Sequence, residues 1–289
     1  MSKYKLDFNV SLKNLCTYGT GGTAKYLYHP KSNNELIDII KQLDSSNVKW
    51  YIIGSGSNVI FPDEPFDGAL IKLDLMQDIV FKDGSVIVSS GVLLSTLINK
   101  MLDHKYVNLA PLMGIPGTVG GAIVDNAGSY GTDTFSNLEE IFLLNNNYEI
   151  EHIPSDSVRH GNRYSEFKGY NSVILGAKFK CVPGDVREAR KLITENVTKR
   201  AQTQPLEFRN AGSVFKNPEG FSAGALIEQC GLKGFRINDA MVSEKHANFI
   251  INVRNATSHD ILELIDVVRD TVKQKKGIDL ELEQIIIKW

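Results

Sequence analysis

The sequence predicts an α+β protein in two parts. Three observations carry that expectation. Apolar residues recur with helical and strand periods by turns along the chain. The 289 residues suit about two domains. After Pro205 the chain changes character, and loops of turn residues interrupt the long alternation. A soft boundary near residue 190 gives one part over 1–190 and a second over 191–289. Hydrophobic residues make up 42% and charged ones 23%, a soluble globular profile. The net charge of −2 argues against a broad nucleic-acid surface but leaves room for a local cationic pocket. Cys16, Cys181 and Cys230 lie far apart without a C-x-x-C spacing. Neither a metal site nor a disulfide framework is suggested, and a reducing cytoplasm is the expected compartment. The start, "MSKYKLDFNVSL", has no apolar h-region, and no window approaches a membrane-spanning length.

The elements follow in chain order. In "SNNELIDIIKQL" (Ser32 to Leu43), Leu36, Ile39, Ile40 and Leu43 share one helical face, and Ser32 with Glu35 reads as a capping box. "VKWYIIG" reads as a buried strand ending at Gly54, and "GALIKL" and "SVIVSS" as short strands. "VLLSTLINKML" (Val92 to Leu102) is a helix. Beyond a glycine-rich stretch come the strands "EEIFLLN" and "SVILGAKFKCV" (Ser172 to Val182). Asp185 to about Arg200 reads as an amphipathic helix with Val186, Ala189, Ile193 and Val197 apolar. After Pro205, "NAGSVFKNPEG" is a loop, Ser222 to Gly231 a short helix, and "NFIINV" a strand. "SHDILELIDVVRDTVKQKKG" is a helix with Ile261, Leu264, Ile265, Val268 and Val272 on one face and Gly277 as its stop. "IDLELEQIIIKW" reads as a final strand.

Two segments are unusually bare. "GIPGTVGGAIVDNAGSYG" (Gly114 to Gly131) has six glycines in eighteen residues, and "GSGSNVI" (Gly54 to Ile60) follows a strand directly. Exposed N–H groups in such turns form nests for an anion, typically a phosphate. Two such loops suit a diphosphate ligand: FAD, NAD(P) or a nucleotide sugar. Glycine clusters also simply make tight turns. Neither loop matches the dinucleotide fingerprint, and no phosphate loop of the Walker type is present.

In order along the chain, "GSGSNVI", "GIPGTVGGAIVDNAGSYG", "RYSEF", "NAGSVFKNPEG" and "GLKGFRINDAMVSEKHANFIIN" resemble the UDP-N-acetylenolpyruvoylglucosamine reductase family, with the likeness running from about Leu15 to the end. The first two are shared with FAD domains of the vanillyl-alcohol-oxidase, or PCMH, type. The short form of "QPLEFRNAGSVFKNPEGFSAGALIEQCGLKG" is similar to the family's second type. The resemblance implies a two-part PCMH-type FAD-binding domain over 1–190. A smaller α+β substrate-binding domain over 191–289 would follow, its last strand carrying a catalytic glutamate. It implies FAD held by Gly54, Ser55, Gly56, Ser57 and Asn58 and by Gly114, Ile115, Pro116, Gly117, Thr118, Gly120, Gly121 and Ala122. No histidine or cysteine falls in either loop, so the flavin is expected to be noncovalent.

The implied reaction is a conjugate reduction in peptidoglycan precursor synthesis. NADPH reduces the flavin, which passes hydride to the enolpyruvyl ether of a UDP-sugar. Charge develops beside the substrate carboxylate, and a proton completes the lactyl ether. Such chemistry asks for charge stabilisation, a proton donor and a grip on the diphosphate. By resemblance, Arg163 grips the carboxylate, Ser213 donates the proton and Glu283 lies near the developing enolate. Asn217 and Lys216 are expected near the substrate diphosphate. On spacing alone Glu281 and Glu283 share a strand face, and only the motif separates them. His246 is expected to be structural. This chain departs from the family pattern at Asn162, where an aromatic is usual, and at Gln284 and Ile285, where "VR" is usual. Two other readings remain open here: a flavin-dependent paralogue with another substrate, and a non-catalytic flavin or nucleotide-sugar binder.

Overall fold

A computed structural model describes residues 3–169 and 173–289. Strands β1 (Leu6–Ser11) and β2 (Thr23–Tyr28) precede helix α1 (Asn33–Ser45), followed by β3 (Trp50–Ile53), the short β4 (Val59–Ile60) and β5 (Phe66–Lys72). Four of these strands form a sheet of order β1-β2-β5-β3. In it β3 runs parallel to β5, with Trp50 opposite Ala69 and Ile53 opposite Lys72. Helix α1 buries Leu36, Ile39, Ile40 and Leu43, the predicted face. Its cap is only half the expected box. Ser32 Oγ accepts from Glu35 N, but the Glu35 carboxylate accepts from Lys31 N.

Next come β6 (Ile79–Lys82), β7 (Ser85–Ser89), α2 (Leu94–Asp103) and the six-residue α3 (Val119–Val124). Three hairpin-like pairs and a long strand follow: β8 (Gly128–Ser129) with β9 (Thr132–Asp133), β10 (Leu138–Leu144) with β11 (Ile150–Pro154), β12 (His160–Gly161) with β13 (Tyr164–Ser165), then β14 (Val173–Lys180). Ser172, expected to start that last strand, lies outside the described residues. A five-stranded antiparallel sheet has the order β11-β10-β14-β7-β6. Its inward side chains Val86, Val88, Ile141, Ala177 and Phe179 pack with Leu94, Leu97 and Ile98 of α2 and Val119, Ala122 and Ile123 of α3. Helix α4 (Val186–Thr203) differs from its prediction. Only Ala189 and Asn196 are buried on it, and Val197 is exposed. Charged residues dominate the helix, so its few apolar groups meet the core only at Val186, Ala189 and Ile193.

The rest of the chain holds α5 (Ala223–Gln229), β15 (Arg236–Ile237), β16 (Ala240–Val242), β17 (Ile250–Asn252), α6 (Ser258–Lys276) and β18 (Ile285–Ile286). Strands β15, β16 and β17 form an antiparallel sheet. Helix α6 buries the predicted Ile261, Leu264, Ile265, Val268 and Val272. Thr257 and Asp260 make its capping box, and Gly277 ends it in the left-handed conformation at φ 71°. Asp63 reinforces the helix start, accepting from Ser258 N and His259 N. The expected final strand is broken. Only Ile285–Ile286 forms a ladder, parallel to β4.

Compactness divides the chain within α4. One unit comprises 1–8, 26–55 and 68–198; the other comprises 9–25, 56–67 and 199–289. The sequence reading draws one boundary near 190 and keeps each part continuous. Two short N-terminal segments join the second unit because their partners are late in the chain, as Asp63 on α6 and Phe61 and Phe66 stacked on Trp289 illustrate.

Candidate functional site

The expected site residues fall in both units. In the first lie Gly54, Ser55, the Gly114–Ala122 stretch and Arg163. Thr118 caps α3, its hydroxyl accepting from Gly121 N at 3.3 Å. Val119, Ala122 and Ile123 turn inward and are buried, while Gly114, Pro116 and Gly121 are exposed. The stretch therefore has an apolar edge sunk in the core and a bare backbone edge facing out. Gly54 abuts it, because a Cβ there would stand 2.7 Å from Thr118 Oγ1. Beside α3, the Ser90 hydroxyl is 2% exposed and lacks a hydrogen-bond partner.

Arg163 occupies the two-residue turn between β12 and β13 at φ 56°, the left-handed region that few non-glycine residues adopt. Its Nη2 donates to Gly128 O at 2.8 Å. Three further ties hold this hairpin to the end of α3. Asn126 Nδ2 donates to Gly161 O at 2.9 Å, Ser165 Oγ donates to Val124 O at 2.8 Å, and Lys168 pairs with Asp125 at 2.8 Å, both largely buried. A strained backbone held this firmly preorganises the guanidinium.

The second unit carries Gly56, Ser57, Asn58, Ser213, Lys216, Asn217 and Glu283. Residues Val214–Lys216 run antiparallel to Glu281–Glu283. Glu283 N donates to Val214 O at 2.8 Å, Lys216 N donates to Glu281 O at 2.9 Å, and Phe215 bridges Leu282. Ser213 and Glu283 thus sit on neighbouring paired segments, and both are half-buried. On its other side the Ser213 segment is held by buried Asn248. Val214 N donates to Asn248 O, Phe215 N to Asn248 Oδ1, and Asn248 Nδ2 to Phe215 O. Immediately beyond Glu283, Ile285 N donates to Asn58 O at 2.9 Å, and β18 lies along β4. One short run of chain therefore joins the Ser213 loop to the Gly56–Asn58 turn.

Several expected site residues have internal partners. Lys216 pairs with Glu281, whose side chain is 72% exposed. Asn217 Oδ1 accepts from Ala223 N at the start of α5. His246 Nδ1 accepts from Asn248 N, and burial holds its pKa below the usual histidine value. That bond fits a structural role.

The glycines divide by cause. Gly56 lies at φ 67°, and a Cβ would fall 1.9 Å from Leu15 O, so the protein's own backbone demands glycine. At Gly120 a Cβ would meet Ser90 Cβ at 2.9 Å. At Gly121 it would meet only Thr118 Oγ1, at 3.6 Å. An open, exposed backbone edge beside an orphaned buried hydroxyl fits a cofactor laid against α3. Gly121→Val is therefore expected to leave the apoprotein's melting transition near the parent's and to lose bound flavin. Gly120→Val is expected to destabilise the apoprotein itself, by about 1–3 kcal/mol. Flavin absorbance per protein and apoprotein melting separate the two. A Gly121→Val protein with full flavin occupancy would rule out ligand contact at that edge.

Sequence reasoning missed Tyr18, Asn126 and Asn248 and met Gln284 only as a departure. Asn126, Asn248 and Gln284 work through hydrogen bonds to backbone distant in sequence, and Tyr18 through the Gln284 side chain; local pattern carries no trace of those.

A model of the UDP-N-acetylenolpyruvoylglucosamine reductase C-terminal domain matches residues 204–287, and a model of an FAD binding domain matches residues 24–148. The chain is 36% identical to the UDP-N-acetylenolpyruvoylglucosamine reductase of Caldanaerobacter subterraneus subsp. tengcongensis, over 98% of this chain and 94% of the relative. It is 39% identical to that of Carboxydothermus hydrogenoformans, over 95% and 91%. The crystal structure of the reductase from Thermus caldophilus superposes with a TM-score of 0.84 at 29% identity, covering 99% of this chain and 100% of that one.

Proposed function

The chain belongs to the UDP-N-acetylenolpyruvoylglucosamine reductase family, an FAD-binding oxidoreductase family, and from that premise we propose that Arg163, Ser213 and Glu283 carry the reduction of a UDP-sugar enolpyruvyl ether, with NADPH as reductant. The observation that carries the residue assignment is the pairing of Val214–Lys216 with Glu281–Glu283, which puts a hydroxyl and a carboxylate on adjacent segments.

When bound, FAD supplies hydride transfer. The exposed edge of Gly114–Ala122, with Gly54 to Asn58, would hold it through backbone N–H groups. Arg163 grips the substrate carboxylate; a guanidinium stays charged and matches a carboxylate with two parallel hydrogen bonds. The Gly128 carbonyl keeps its head aimed. As the terminal carbon gains hydride, charge builds on the adjoining carbon and spreads onto the carboxylate. Arg163 and Glu283 stabilise that charge, Glu283 in its protonated form by donating a hydrogen bond to the developing enolate. Ser213 gives its proton to the adjoining carbon. A serine is a weak acid, but a carbanion is a strong base, so the transfer is downhill in a dry site. The product is UDP-N-acetylmuramate. Asn217 and Lys216 are assigned to the substrate diphosphate, and the cytoplasm is the assigned compartment. Among the described residues no helix is long and apolar enough to cross a membrane.

Anaerobic mixing tests the reading. Yellow protein is expected to bleach with NADPH and to recolour on adding UDP-N-acetylglucosamine enolpyruvate. Acid precipitation is expected to leave the flavin in the supernatant. Protein that binds flavin but never bleaches is a binder rather than a reductase. Protein that bleaches but recolours only with other acceptors has a different substrate.

A further inference from the structure

We infer that Gln284, together with Tyr18, is a positioning residue for Ser213: a buried amide that fixes the turn from which the serine's hydroxyl is delivered. This rests on the reading of Ser213 as the proton donor.

Gln284 is 3% exposed and Tyr18 is fully buried. The Tyr18 hydroxyl donates to Gln284 Oε1 at 3.1 Å. Gln284 Nε2 donates to Ala211 O at 3.1 Å and lies 3.4 Å from Gly212 O. These two carbonyls come immediately before Ser213. Carbonyl oxygens only accept, so the amide nitrogen must face them, and the amide oxygen must face Tyr18. Burial raises the Tyr18 phenol's pKa well above its ordinary value, so it remains a donor throughout the working range. The orientation of the amide is thus set by chemistry at both ends.

The turn needs such a hold. Gly212 sits at φ 77°, in the left-handed region that favours glycine, directly before the serine. Its N–H is bound by Asn210 Oδ1 at 2.9 Å, and the segment after the serine is held by Asn248 and the Glu283 backbone. Without Gln284 the carbonyls of Ala211 and Gly212 would lose the donor facing them from the segment that carries Glu283. Gln284 follows Glu283 directly, so one backbone segment presents the carboxylate and anchors the serine turn.

A positioning residue acts only through the group it positions. Gln284→Met keeps the side-chain length and removes both hydrogen-bonding ends. It is expected to leave flavin bleaching by NADPH unchanged and to slow recolouring by substrate about 10²-fold, the scale of a small misplacement of a reacting group. The decisive arm repeats the substitution in Ser213→Ala. With the hydroxyl gone, Gln284→Met is expected to add nothing further to the recolouring rate. Equal slowing in both backgrounds would make Gln284 a general structural residue and overturn the inference, as would no slowing in the parent. Tyr18→Phe carries the same cycle should Gln284→Met fail to fold, with a loss of roughly threefold to tenfold. If Ser213→Ala alone recolours at the parent rate, Ser213 is not the proton donor. That result is seen before any Gln284 variant is measured and removes the inference with it.

Discussion

Ser213→Ala is expected to bleach with NADPH at the parent rate and to recolour with substrate roughly 10²–10⁴-fold more slowly. The two half-reactions share a flavin but need different groups. Reduction by NADPH delivers no proton to a substrate carbon, whereas reoxidation by the enolpyruvyl ether does. Ser213 lies on a segment clamped by Asn248 on one side and by Glu283 N on the other, so loss of its hydroxyl alone should leave the fold intact. Cysteine at this position also donates a proton and is expected to retain part of the recolouring rate. Stopped-flow absorbance reads each half-reaction separately. Recolouring by the alanine variant at the parent rate would remove Ser213 from the chemistry. A matched fall in both half-reactions, together with flavin content, would mean that the serine only shapes the loop.

Replacing Glu283 or Arg163 with alanine is expected to lower kcat by about 10²–10³. Charge that exists only in the transition state is stabilised by groups whose loss appears in kcat more than in KM. Arg163→Ala should raise KM as well, since the ground-state carboxylate already needs its partner. Glu281→Gln should be much milder. Its carboxylate is mostly exposed and pairs with Lys216. Steady-state kinetics of the three variants decide the matter. The reverse order of severity would transfer the carboxylate role to Glu281.

What the sequence disclosed depended on how far each residue's partners lie along the chain. The buried faces of α1 and α6 were legible because a helix repeats its contacts every three or four residues. Helix α4 misled for the same reason run backwards: Val197 has the right spacing but meets solvent. The bare stretch from Gly114 stood out by its glycines, yet the reason for each glycine was not legible. Gly120 is glycine because of Ser90, and Gly56 because of Leu15, and neither neighbour is near in sequence. The roles assigned to Ser213 and Glu283 came from their motifs. Their pairing through Val214 and Leu282 required the fold. Gln284 stood out only as an unfamiliar residue, since its partners Tyr18 and Ala211 are remote in sequence.

The parallel ladder of β4 with β18 joins positions more than two hundred residues apart. During synthesis the Gly56–Ile60 segment emerges early and waits for Ile285 and Ile286, while units made of neighbouring residues can already form. Closing so long a span is entropically dear only in a slowly growing, logarithmic way, but pairings of this range are slow to form. Glu283 and Gln284 are adjacent in sequence, so the carboxyl group and the amide that holds the Ala211–Gly212 turn are brought in by the same segment. On the proposed assignment, the hydrogen bond from Gln284 to the Ser213 turn and the position of Glu283 thus depend on the same late-sequence segment settling beside β4.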